Sequence, residues 1–207
     1  MPRLFSAIDL GPAARDGIAA EQHRLAAAFP GASLRWVRPE HLHLTLVFMG
    51  EVADECVAPL VSAMQEKIDR RPFRFELGGF GVFPPRGAPR ALWLGVQTGV
   101  ENLVAVHQAI VSRCERLAVP LDPRPFHPHL TLARWRDRRK PAFALRRSTE
   151  RRPDKSERPL DLQSSRDVVA VVDVRMITLF HSRLSSEGPT YRVLAESPLS
   201  GVESALH

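Results

Sequence analysis

Alternating apolar and polar positions mark the strands of this chain, and apolar positions three or four apart mark its helices. Arg3 to Leu10 (RLFSAIDL) mixes apolar and small residues and stops at Gly11-Pro12, which reads as a first strand buried on at least one face. Pro12 to Phe29 is rich in Ala, Arg, Gln and Leu and ends at Pro30-Gly31, a helix with its stop signal. Ser33 to Val37 gives a short strand and His41 to Gly50 a longer one. Between Glu51 and Arg71, residues Val57, Leu60, Val61, Met64 and Ile68 keep helical spacing, with Pro59 marking where the regular helix begins. FRFELGGFGVFPP reads as a strand running into a tight connection between two halves, and the chain divides near Pro84 to Ala91. PRALWLGV is another strand, and Val100 to Leu117 is a helix with Leu103, Val106, Ile110 and Leu117 on one face. After RPFHPHLTLARW, a single β-branched strand (VVAVVDVRMITLFHSRL) and a last one (GPTYRVLAE) complete the order β-α-β-β-α-β-β-α-β-β-β. The pattern predicts an α+β protein of two similar lobes.

One string occurs twice. RPEHLHLTL (Arg38 to Leu46) and RPFHPHLTL (Arg124 to Leu132) agree at seven of nine positions and lie 86 residues apart. Each copy falls on a strand near a long helix, one per half, so the strings can face each other across the junction. Alternation along a strand puts His41, His43 and Thr45 on one face and Leu42, Leu44 and Leu46 on the other. In the second copy His127, His129 and Thr131 share a face opposite Leu130 and Leu132. The same alternation assigns Phe48 to the core side.

Two facing imidazoles suit a reaction that needs a base and an acid together, because an ordinary pKa of about 6.5 leaves one neutral and one protonated near neutrality. Displacement at phosphorus has that need: one group takes a proton from the attacking oxygen and the other gives one to the leaving oxygen. Thr45 and Thr131 can donate to the non-bridging oxygens. Arg38, Arg124 and Arg134 flank the strings and are candidate phosphate contacts as much as strand-end surface residues. Trp36 and Tyr191 are candidates for base stacking or for the core. Two His-x-His pairs also offer four nitrogens to a zinc ion, although Glu40 is the one carboxylate near either copy and Pro128 interrupts the second pair.

Composition narrows the setting. Of the net +6, the stretch from Arg136 to Asp167 holds eleven Lys/Arg and six Asp/Glu, a local excess of +5 that fits either a polyanion contact or a solvated insertion. No apolar run approaches the ~18 residues needed to span a bilayer. The first residues are too little apolar for a secretory signal, and Cys56 and Cys114 lack Cys-x-x-Cys spacing. The expectation is a cytoplasmic monomer that makes no membrane contact.

The strings His43-Leu44-Thr45-Leu46 and His129-Leu130-Thr131-Leu132 resemble the defining feature of the 2H phosphoesterase superfamily. Within it the chain is similar to the RNA 2',3'-cyclic phosphodiesterases, also called 2'-5' RNA ligase-like or LigT-like proteins. The blocks LFSAIDL, HLHLTLVFMGEV, GGFGVFPP, PRALWLGV, RPFHPHLTLAR and LFHSRLSSEGPTYRVL follow that group's order. The resemblance covers nearly all of the chain except the basic stretch, which is longer than the group's, and His127, where the group frequently has Arg. It implies one domain over residues 1–207 with a basic loop insertion at about 136–167. The implied fold is a bilobal pseudo-twofold duplication, two antiparallel sheets flanking a central cleft with helices outside. It also implies metal-independent opening of RNA 2',3'-cyclic phosphate ends to 2'-phosphates without a cofactor, with His43 as proton donor and His129 as proton acceptor. Thr45 and Thr131 would bind phosphate, and Arg124, Arg134 and His127 are further contact candidates. The same residues permit the reverse reaction, sealing of a 2'-5' linkage. Two rivals remain at this point: an RNA-end binding protein without catalysis, and a zinc-dependent phosphohydrolase.

Overall fold

The computed structural model describes residues 1–28, 33–136, 167–185 and 188–201, so most of the basic stretch lies outside the described residues. The strands are β1 (Arg3–Asp9), β2 (Leu34–Trp36), β3 (His43–Glu51), β4 (Phe73–Phe83), β5 (Ala91–Thr98), β6 (His129–Trp135), β7 (Val168–Val174), β8 (Met176–Ser185) and β9 (Gly188–Pro198). The helices are α1 (Pro12–Ala28), α2 (Asp54–Ala63) and α3 (Val100–Arg116). The strands form one antiparallel path, β7-β4-β5-β6-β3-β1-β8-β9, with β2 also beside β6. It consists of two four-stranded halves whose innermost strands, β3 and β6, carry the repeated string. The halves meet at one pair, Leu44 opposite Leu130.

Three expectations need correction. The β-branched run after residue 167 is two strands, not one: β7 pairs with β4 in one half, and β8 pairs with β1 in the other. No Gly or Pro interrupts the run, so no turn signal marks the break at Arg175, where the chain passes from half to half. Residues 84–90 form the turn between β4 and β5, which pair with each other, so the division between halves falls earlier, between α2 and β4. GGFGVF accordingly belongs to β4 and is not an inter-lobe connection. Finally, α2 begins before Pro59 and includes it, while Ile68 bridges to Leu199 outside the helix. Pro59 and Glu55, whose carbonyl loses its partner there, are both exposed, so water can serve that oxygen.

The main core lies between the sheet and the helices. Leu44, Leu46, Leu130 and Leu132 pack there with Ile18 and Leu25 of α1 and Leu103, Val106 and Ile110 of α3. Burial of the leucine face fixes which face of β3 and β6 is left for the histidines. Each long helix braces the half it does not come from. Helix α1 packs on β7, where a Cβ added at Gly17 would come 3.0 Å from the Val169 carbonyl oxygen. Helix α3 packs on β3. A second, small cluster of Phe5, Ala7 and Phe180, with Tyr191 against it, covers part of the opposite face of the first half. Among the described residues no helix is long and apolar enough to cross a membrane.

Candidate active site

Because β3 and β6 run antiparallel through Leu44 and Leu130, extending that register one residue each way sets His43 across from Thr131 and Thr45 across from His129. The two leucines are fully buried. Their neighbours turn the other way, and His43, Thr45, His129 and Thr131 all line one open cavity of about 400 Å³. His43 and His129 thus stand diagonally across the junction, one from each half.

The two rings are held alike. His43 Nδ1 bonds the His41 carbonyl oxygen at 2.7 Å, and His129 Nδ1 bonds the His127 carbonyl oxygen at 2.7 Å. A carbonyl only accepts, so each Nδ1 carries its hydrogen, and each Nε2 is the nitrogen that gains or loses a proton. The walls differ. Phe5 and Tyr191 stand 5.0 and 5.3 Å from the His43 ring, and Phe83 and Trp93 stand 4.9 and 6.0 Å from the His129 ring. Gly81 makes room for that Trp93 ring, since a Cβ there would meet it at 2.0 Å.

Burial pushes both imidazoles below the ordinary histidine pKa, and in each case the backbone carbonyl bond partly offsets it. The remaining charges break the symmetry. Asp9, the cross-strand partner of His43 on β1 and ion-paired with Arg15, raises the His43 value, while His41 and Arg134 lower it. On His129 the nearby charges are those of His127 and Arg134, and both lower its value.

Arg134 reaches the cavity through a β-bulge. On β5, Leu92 pairs with Ala133 and Trp93 with Thr131, so Leu132 is skipped and the alternation shifts by one. The same irregularity occurs in β3, where Ser6 pairs with Val47 and Ala7 with Thr45, skipping Leu46. Phe48, the counterpart of Arg134, is therefore turned out of the core: it is 41% exposed, with the Arg3 guanidinium 5.8 Å from its ring. The alternation that assigned it to the core does not survive the bulge. Arg35, Arg38 and Arg136 also line the cavity, together with His41, Trp36 and Tyr191, and none of the described lining residues is Asp or Glu.

Two candidates are not among the lining residues. Arg124 is exposed and ion-paired with Asp122 rather than aimed at the cavity. His127 precedes β6, 5.5 Å from Phe83, 5.2 Å from Trp93 and 6.1 Å from the His129 ring, so it stands beside the second histidine without lining the cavity. Among the described residues no three His, Cys, Asp or Glu side chains gather to hold a metal ion, so the four-histidine zinc arrangement is not assembled. The sequence reading missed Arg35, Arg136 and Asp9. Arg35 alternates with the apolar residues of β2, a usable signal, but the proximity of Asp9 to His43 depends on β1–β3 pairing that no local pattern reveals.

Proteins of known structure share this duplicated architecture. TT0787 of Thermus thermophilus superposes with a TM-score of 0.74 at 26% identity, over 97% of this chain and 100% of that one. LigT of E. coli, crystallised with phosphate, gives 0.66 at 28% identity, over 96% and 98%. The RNA 2',3'-cyclic phosphodiesterase of Aeropyrum pernix is 33% identical over 82% of this chain and 88% of its own length. The family model described as LigT like Phosphoesterase matches residues 8–93. This chain belongs to the LigT-like phosphoesterase family.

Proposed function

We propose that this protein hydrolyses 2',3'-cyclic phosphate ends of RNA to 2'-phosphates by a two-histidine mechanism that uses no metal. Water attacks phosphorus opposite the 3'-oxygen and His129 Nε2 takes its proton. The bond from phosphorus to the 3'-oxygen breaks, and His43 Nε2 gives that oxygen its proton. Thr45 and Thr131 donate hydrogen bonds to the non-bridging oxygens, and Arg134 opposes the charge that builds there. The chain's kinship with an RNA 2',3'-cyclic phosphodiesterase supports the substrate. The observation that carries the mechanism is the placing of one His–Thr pair from each half on a single cavity lined by four arginines. The assignment of His43 as donor and His129 as acceptor follows the resemblance of the two motifs to the 2H phosphoesterases, and Asp9, the one negative charge acting on either ring, supports it. Release of ring strain drives the opening, so the step needs no stronger electrophile.

The test is incubation with an oligonucleotide ending in a 2',3'-cyclic phosphate, in the presence of a chelator. The expected product is the 2'-monophosphate. A 3'-monophosphate would reverse the leaving group, and activity restored only by added zinc would overturn the metal-free chemistry. Persistent binding of an intact cyclic phosphate would show an RNA-end binder.

A further inference from the structure

Two side chains outside the cavity hold the motif strands from behind. Gln22 of α1 is 5% exposed and donates through Nε2 to the carbonyl oxygens of Leu132 and Val37, each at 2.9 Å. His107 of α3 donates through Nδ1 to the Leu46 carbonyl oxygen at 2.9 Å, and its ring stacks on Phe126 at 4.2 Å. Leu46 and Leu132 are the fourth residue of their respective His-Leu-Thr-Leu strings, and both are the residue skipped at the bulge. Each bulge is thus tied by a polar side chain from a helix of the other half. Gln22 sits on a helix face otherwise built from Ala14, Ile18 and Leu25. A buried amide is costly there unless its hydrogens are used, and both acceptors belong to cavity-forming segments.

We propose that Gln22 is a positioning residue for the reaction: it ties the Leu132 bulge, whose carbonyl also accepts the Val37 N–H at 2.9 Å, to α1 and so sets where Arg134 stands on the cavity wall. His107 braces the first motif in the same way, but the residue its bulge turns outward is Phe48, which does not line the cavity. The two braces therefore differ in consequence. This inference rests on the reading of the cavity as the site of phosphoryl chemistry.

The test is a double-mutant cycle on turnover of a 2',3'-cyclic-phosphate oligonucleotide, using Gln22→Met, Arg134→Ala and the pair, with folding checked by thermal melting. Gln22→Met keeps the length and removes the donor; Gln22→Glu replaces it if Met does not fold. The expected result is a loss of about 10-fold for Gln22→Met alone that shrinks below about 2-fold when Arg134 is already Ala. His107→Ala should instead cost the same factor in both backgrounds. An undiminished Gln22 effect in the Arg134→Ala background, or none in the wild type, overturns the inference. If the wild type leaves the cyclic phosphate intact, it is the functional reading that fails. Inorganic phosphate binding then decides the brace: Arg134-dependent weakening by Gln22→Met upholds it, and unchanged binding refutes it.

Discussion

His43 and His129 are gripped by the same backbone bond, and the strands that carry them bulge at the same residue, but their surroundings share little. The first ring sits against Phe5 and Tyr191 with the Asp9 carboxylate across from it; the second sits against Phe83 and Trp93, and the Arg134 charge acts on both. Duplication repeats the parts that orient a histidine, and the walls around each have diverged. The repeated string alone is symmetric, and Asp9, ion-paired with Arg15, is the one difference in sign between the charges that act on the two rings.

The strongest challenge to this comparison is removal of either ring. His43→Ala and His129→Ala should each lower kcat by about 10²–10⁴-fold, and the double mutant should be little worse than the singles, because acid and base act in one step. Near-normal turnover in either single variant would end the paired mechanism. Next come the residues that follow the two bulges. Arg134→Ala should cost on the order of 10–10² in kcat/KM, whereas Phe48→Ala should stay within about 2-fold, so equal losses would remove the functional contrast between the halves.

The pH dependence sharpens the contrast further. The base must be neutral and the acid protonated, so kcat/KM should follow a bell. Both imidazoles lie below the ordinary value of about 6.5, so in the free protein the alkaline limb begins on the acid side of that pH. Asp9→Asn removes the charge that raises His43. It should shift the His43 titration, followed by NMR, and the alkaline limb to lower pH, with His129 unmoved. A shift in His129 instead would break the assignment of roles.

The smallest expected effect is on stability. A histidine whose folded-state pKa is lowered is favoured neutral in the fold. Its contribution is complete above the unfolded value of about 6.5 and is lost as pH falls toward the folded value. Thermal midpoints should therefore drop between pH 7.5 and 5, and the drop should be shallower in a His43→Gln variant. An equally steep drop in that variant would exclude His43 as a contributor.

Most of the element order was legible because burial imposes its period on the sequence. The motif faces were legible too, since Leu44 and Leu130 could only point one way. Errors gathered where one residue is added to or dropped from the period. The skipped Leu46 turned Phe48 outward, and the skipped Leu132 brought Arg134 round to the cavity. His127 was placed on a strand that starts two residues later. The run after residue 167 hid a change of partner at Arg175, because no Gly or Pro breaks it there. Arg124 was drawn to the motif by sequence proximity and in space is claimed by Asp122.

The passage at Arg175 has a consequence for how the molecule could be divided. With β7, β8 and β9 cut away, β4 and β1 would each lose a neighbour, α1 would lose the strand it rests on, and Phe180 and Tyr191 would no longer shield His43. The duplicated halves are therefore interlocked rather than modular. Splitting the polypeptide at its pseudo-symmetric midpoint should give fragments with bare, sticky edges that recover function only when both are refolded together.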